Sequence, residues 1–172
     1  MSGAMPAQPG DPAGPVRVAA VGPDAADLVH RLTRAAFAEY AGVLEPPPGT
    51  LFETVADVAA AIAAGAAAIA WDGERAVGAA RLLPCADRLS IARLAVPPAQ
   101  RGRGVGSALL TFAHDRARAL GLPEARVEVR AALPGNVAFF HRHGYTEIAR
   151  RPHPRLPAAE IIVMAKRIAP AG

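Results

Sequence analysis

Between Gln100 and Ser107, glycines alternate with other residues at Gly102, Gly104 and Gly106, and two arginines, Arg101 and Arg103, stand among them. Apolar spacing after this turn predicts a helix to about Leu120. Removing Cβ atoms where a helix begins lets the backbone amides of residues 101–107 approach a ligand closely. The first amides of a helix have no internal partner and lie at the positive end of its dipole, so they attract an anion. Arg101 and Arg103 add planar, permanently charged donors, which suit phosphate better than lysine.

The strand ahead of this turn carries a second signal. In LSIARLAV, Leu89 and Ile91 keep one alternation phase while Leu94 and Val96 keep the other. A β-bulge near Ala92 and Arg93 produces such a switch; a central strand apolar on both faces reads the same way. Downstream, VEVRAALPGNVAFFHRHGY at residues 127–145 reads as a strand bearing the carboxylate Glu128, then a helix that Asn136 caps and Gly144 stops in the left-handed conformation. Glu128 has Arg126 and Arg130 in reach as ion-pair partners on its strand.

Taken together, these two segments resemble the GCN5-related N-acetyltransferases over about residues 75–150. The pattern of that family's cofactor turn is matched by Arg101, Gly104 and Gly106, and the strand, Asn, aromatic pair and Gly-aromatic ending of its second half by residues 127–145. The resemblance implies acetyl-CoA as co-substrate, with its pyrophosphate on the turn made by Arg101, Gly102, Arg103, Gly104, Val105, Gly106 and Ser107. It implies that Leu94, Ala95 and Val96 hydrogen-bond the pantetheine arm, that Asn136 touches it, and that the helix bearing Phe139 and Phe140 flanks the thioester. The implied activity is transfer of an acetyl group to a primary amine, on a small molecule or a peptide amino terminus, by direct attack in a ternary complex.

One departure bears on mechanism. The family often has tyrosine four residues before the helix-ending glycine, as the acid for the departing thiolate, and this chain has Phe140. A positioned acid is worth ~10²–10⁴-fold, while a thiol of pKa about 8.5 already leaves tolerably near neutral pH. The change therefore slows transfer rather than abolishing it. Tyr145 and His141 are substitute acids, although Tyr145 occupies an aromatic core position. Glu128 is the candidate base, since an alkyl amine of pKa near 10 must lose a proton before it attacks. The alternative is an acyl-CoA-binding regulatory module with little or no catalysis. A dinucleotide site is a third reading, with Glu128 as ribose ligand, but Ser107 stands where a third glycine is expected and too little chain follows.

The elements needed to position these groups follow from periodicity. A strand at Val16–Val21 leads to a helix opened by Pro23 and Asp24 and running to about Ala41. Thr54 and Asp57 form a capping box for a helix through Ala64. A hairpin turns across Asp72 and Gly73, between Ala66–Trp71 and Arg75–Leu83. After the glycine turn and its helix come a strand at Ala125–Val129, a helix at Asn136–His143, and strands at Thr146–Arg150 and Ile161–Ala165. This predicts an α/β fold, a single domain over residues 16–168 with a mixed sheet and helices on both faces, after a disordered tail at residues 1–15. Residues 37–52, with Tyr40 and Glu45, are expected to shape the acceptor pocket and to meet a cation. A late loop at residues 152–160 is expected to cover it.

Composition narrows the partners. Of 172 residues, 19 are Lys or Arg and 15 are Asp or Glu, giving a net charge of +4. Residues 1–80 hold nine acids against four arginines, and the remainder is strongly basic. A basic half suits a polyphosphate cofactor and an acidic half an amine cation. Aromatics are 5% and do not interleave with the charge, which argues against nucleic acid. Cys85 is the single cysteine, so neither an intrachain disulfide nor a thiolate metal cluster forms. His141 and His143, two apart on a helix, diverge rather than share a metal. Without a targeting or membrane-spanning segment in the sequence, a cytoplasmic protein is expected, and a homodimer is a common arrangement in the resembled family.

Overall fold

The computed structural model describes residues 14–172, so the tail expected at residues 1–15 lies outside the described residues but for its last two. Its elements run β1 (Arg17–Val21), α1 (Ala26–Phe37), α2 (Val55–Ala64), β2 (Ala66–Asp72), β3 (Arg75–Pro84), β4 (Leu89–Ala95), α3 (Val105–Ala119), β5 (Glu124–Arg130), α4 (Pro134–Arg142), β6 (Thr146–His153) and β7 (Leu156–Arg167). The strands form one mixed sheet in the order β1-β2-β3-β4-β5-β7-β6, and only β4 and β5 are parallel.

Alternation in β2 shows why helices cover both faces. Ala67 and Ile69 pack with Val29, Leu32, Val58 and Ile62 of α1 and α2. Ala68 and Ala70 point the other way, against Val105 and Leu109 of α3. The alanines that lower the apolar content per residue let helices approach a sheet buried on both sides. A larger cluster joins β3, β4, β5 and β7 to Leu110, Ala113 and Ala117 of α3 and to Phe140 and Tyr145.

Local signals mostly held. The Thr54–Asp57 capping box is complete: the Asp57 amide donates to Thr54 Oγ1 at 3.1 Å and the Thr54 amide to Asp57 Oδ2 at 2.8 Å. Thr54→Ala is expected to cost about 1 kcal/mol of stability by chemical denaturation. The β2–β3 turn sits one residue later than expected, on Gly73 and Glu74, with Asp72 still paired to Arg75. Gly73 takes φ +57°, as the first position of a two-residue hairpin turn demands.

Two expectations required larger correction. Asn136 is not a helix cap: α4 begins at Pro134, whose fixed φ suits a first helical position, and Asn136 lies inside the first turn. The late loop at residues 152–160 is instead the end of the β6–β7 hairpin, with Pro152 opposite Glu160 and His153 opposite Leu156. Pro152 is tolerated there because β6 is an edge strand. No helix among the described residues is long and apolar enough to cross a membrane.

His114 of α3 and Tyr145 form a part-buried polar pair, with His114 Nε2 2.8 Å from the Tyr145 hydroxyl. Burial, helped by the Lys166 cation, pulls the His114 imidazole down to about 4. The unfolded imidazole binds a proton near pH 6.5 and the folded one resists it. This contribution is therefore present above pH 6.5 and lost as pH falls from 6.5 toward 4. Allowing for partial solvent screening, the loss is about 2 kcal/mol. A His114→Gln variant is expected to show a flatter melting temperature between pH 7 and 4.

Candidate active site

Of the two readings of the β4 alternation, the bulge is the one present, and it opens the sheet. Ala79 faces Ala95 and Arg81 faces Ala92, so Ala80 of β3 stands against both Arg93 and Leu94 of β4. Arg93 takes φ +53°, which no other non-glycine residue does among those described. Strands β4 and β5 pair only at Leu89–Ala125 and Ser90–Arg126 and then part. Between the parted strands the backbone of β4 beyond Ser90 is available to an inserted ligand strand.

At the mouth of this opening the three glycines do different work. Gly102 and Gly104 take φ +76° and +79° with open space where a Cβ would project. Gly106 is helical, and a Cβ there would lie 3.0 Å from the Phe139 ring, so it gives α4 room to close on α3. Helix α3 has no side-chain N-cap, which leaves the amides of Val105, Gly106 and Ser107 without an intrahelical carbonyl.

The two arginines do not point freely into that cradle. Arg101 donates from Nε to Val96 O at 3.0 Å, from Nη2 to Ala36 O at 3.3 Å, and pairs through Nη1 with Glu39 at 2.8 Å. Arg103 donates to Gln100 Oε1 at 2.7 Å and is ion-paired with Asp72. They brace the turn against the end of α1 and the β2–β3 hairpin. Carboxylates remote in sequence capture them, so the anion-attracting groups of the turn are its backbone amides and the helix dipole.

Two adjoining cavities follow the opening. One of about 460 Å³ is lined by Val96, Gly104, Ser107, Phe139 and His143 among others, and the other of about 300 Å³ by Arg93, Glu128, Arg130, Phe140 and His153. Phe37, Tyr40, Leu94 and Asn136 line both and mark the junction. Burial raises the Tyr40 phenol above its ordinary value; the Asn136 side chain opposes this and Glu39 reinforces it. Tyr40 is therefore a protonated donor through the neutral range, placed where the two cavities meet.

Other candidates fall elsewhere. Tyr145 is 1% exposed, lines neither cavity and is held by His114, with burial raising its phenol further; this removes it as an acid. His141 donates from Nδ1 to the Tyr145 carbonyl at 3.1 Å and also lines neither cavity. Phe140 is buried against Phe139 and Tyr145. Glu128 lines the smaller cavity and accepts from Arg151 of β6 at 2.6 Å rather than from Arg126, which pairs with Glu124. Glu45 contributes no side chain to either cavity; its carbonyl accepts from Arg130 at 2.7 Å.

Some lining residues, His143 among them, were not among the sequence candidates. Ser107 Oγ donates to His143 Nε2 at 2.8 Å, and His143 Nδ1 is 2.8 Å from Phe139 O, bridging α3 and the end of α4. The pair is 36 residues apart, and nothing local couples them. Arg93, Arg130 and His153 reach the smaller cavity from the bulge, the end of β5 and the β6–β7 hairpin. The alternation switch pointed to Arg93, and the segment 152–160 expected over the pocket contains His153; no local signal marks Arg130. No cluster of three or more His, Cys, Asp or Glu among the described residues could hold a metal ion.

Solved structures described as acetyltransferases share this architecture. The fold is similar to the ribosomal-protein-S18-alanine N-acetyltransferase of Escherichia coli, with TM-score 0.72 and 18% identity over 91% of this chain and 96% of that one. It is also similar to the PaiA N-acetyltransferase of Thermoplasma acidophilum in complex with coenzyme A, with TM-score 0.75 and 15% identity over 90% and 99%. A GCN5-related N-acetyltransferase structure from Rhodopseudomonas palustris gives TM-score 0.73 and 20% identity over 92% and 99%. Comparison with curated proteins found no match. The family model described as acetyltransferase (GNAT) family matches residues 29–145, which span the bulged strand, the glycine turn and α4. The chain belongs to the GNAT acetyltransferase family.

Proposed function

We propose that this protein transfers an acetyl group from acetyl-CoA to a primary amine on a small molecule. The observation that carries the reading is the parting of β4 and β5 beyond Ser90, with the uncapped N-terminus of α3 at one end and a separate side-chain-lined pocket at the other. The residues present fit the cofactor: open positive-φ glycines and unpaired amides suit a pyrophosphate, and a cleft of about 460 Å³ bordered by Leu94 and Val96 suits an extended arm.

When bound, the thioester supplies an activated acyl carbonyl, at which the N–C bond forms and the C–S bond breaks. Tyr40, at the junction of the two cavities, would donate the proton that the thiolate takes up, the role that Phe140 cannot fill. Glu128, the one carboxylate lining the smaller cavity, would accept the amine proton directly or through water. Asn136 would orient Tyr40 and contact the arm.

Calorimetric titration with acetyl-CoA and, separately, with NAD tests the cofactor assignment. Binding of acetyl-CoA alone, followed by amine-dependent thiol release, is the expected result. Preference for NAD, or no binding, would overturn it. Binding without turnover across a broad amine panel would instead favour the regulatory module, a reading that the presence of Tyr40 weakens.

A further inference from the structure

The smaller cavity is poorly suited to an ammonium ion with no other charge. Apart from the protonated Tyr40 phenol at the junction, its ionisable lining residues are Arg93, Arg130, His153 and a single carboxylate, Glu128, which is already ion-paired with Arg151. The cationic character is not cancelled by neighbours. Glu53 is shared by two guanidiniums: Arg81 donates to both its oxygens at 2.9 and 3.1 Å, and Arg93 reaches Oε1 at 3.2 Å. Arg93 uses only Nη2 in this contact, so Nε and Nη1 keep their hydrogens free of partners among the described residues. Its backbone holds the left-handed conformation that is costly for any residue with a Cβ.

Arg130 is held by neutral groups. Its Nη1 and Nη2 donate to the carbonyls of Pro46 at 2.9 Å and Glu45 at 2.7 Å, which fix the guanidinium without removing its charge. Desolvation first, then the Arg155 cation, hold the Arg130 guanidinium below its ordinary value, against the Glu45 carboxylate. His153 is buried, and its Nδ1 accepts from the Arg155 amide at 3.1 Å. In the neutral ring the proton therefore sits on Nε2, which has no partner among the described residues. Desolvation first, then Arg130, Arg155 and Arg151, keep this ring below its ordinary value. Three elements thus bring three donors with spare capacity to one pocket, whose remaining wall includes Phe37, Leu44, Ile91 and Ile161.

Resting on the acyl-transfer reading above, we infer that the acceptor is an amine that also carries a carboxylate, a free apolar α-amino acid, with the carboxylate taken by Arg93, Arg130 and His153 and the side chain by the apolar wall. Planar guanidiniums recognise a carboxylate bidentately. A volume of about 300 Å³ suits a molecule of that size. The same cations disfavour an ammonium ion beside them, which helps the amine enter as the neutral nucleophile. The cation-binding role expected for Glu45 is replaced by its opposite.

The test compares L-phenylalanine and L-leucine with their amides, which keep size and amine but lose the negative charge. Wild-type protein is first titrated with CoA; failure at that step would strike the acyl-transfer reading itself. The protein–CoA complex is then titrated with each acid and amide, and thiol release from acetyl-CoA is followed with each as acceptor. The inference expects the acids to bind at least tenfold more tightly than the amides, and expects that ratio to collapse toward one in Arg93→Gln and Arg130→Gln, with melting curves to verify folding. With CoA bound normally, equal affinity for acid and amide, including no affinity for either, would overturn it. A discrimination ratio unchanged in both folded variants would do the same.

Discussion

Tyr40→Phe is expected to lower kcat for amine-dependent thiol release by about 10²-fold, at the lower end of what a positioned acid contributes. The variant keeps the ring and its edge contact with Phe37, whose centroid lies 5.9 Å away, so packing at the junction is retained. Only the hydroxyl is lost. Because burial raises that phenol, it is protonated throughout the neutral range, and its loss should not introduce a new ionisation near pH 7. Stopped-flow measurement of kcat beside calorimetric affinity for acetyl-CoA separates the roles. A fall confined to affinity, with kcat intact, would make Tyr40 a binding residue and return the question of the acid to solvent.

Gly104→Val is expected to weaken acetyl-CoA binding by at least about tenfold and up to about 10²-fold. Placing a β-branched side chain at φ +79° shifts the turn and fills the space before the first amides of α3. Each charge-assisted hydrogen bond lost to a phosphate is worth roughly 1.5–3 kcal/mol, and about 1.4 kcal/mol is a factor of ten. The variant also carries backbone strain of about 1–3 kcal/mol. Gly121→Val supplies the matched control. Gly121 has φ +68° and similarly open surroundings, but follows the far end of α3 and lines neither cavity. Both variants should melt earlier by comparable amounts, and only Gly104→Val should lose the cofactor. Equal affinity in the two would mean that the turn does not hold it.

The contrast between these glycines shows what could be read in advance. Gly102 and Gly104 were legible because a left-handed turn before a helix leaves a local signature. The capping box at Thr54 and Asp57, the strand–turn–helix order and the bulge at Arg93 were legible for the same reason, since each is set by residues a few positions apart. Asn136 was misread because a plausible cap and a proline at the first helical position compete over two residues, and the proline won. The tip of the β6–β7 hairpin was misread as a loop because Pro152 and Pro154 break a strand pattern that an edge position tolerates.

By itself the amino-acid order determined the succession of elements, the position of the glycine turn and the α/β class, because short-range sterics and hydrophobic period act within one or two turns of chain. Tertiary structure alone decided which charge meets which. It gave Arg101 to Glu39, 62 residues away, and Arg103 to Asp72, 31 away. It gave Glu128 to Arg151 and set Tyr40 beside Asn136 where two cavities join. Guanidinium and carboxylate groups are selective for each other only at contact distance, and in a chain with 18 arginines no spacing rule says which pair will touch. The packing of α1 and the β6–β7 hairpin around the parted strands made those choices, and with them the chemistry of the site.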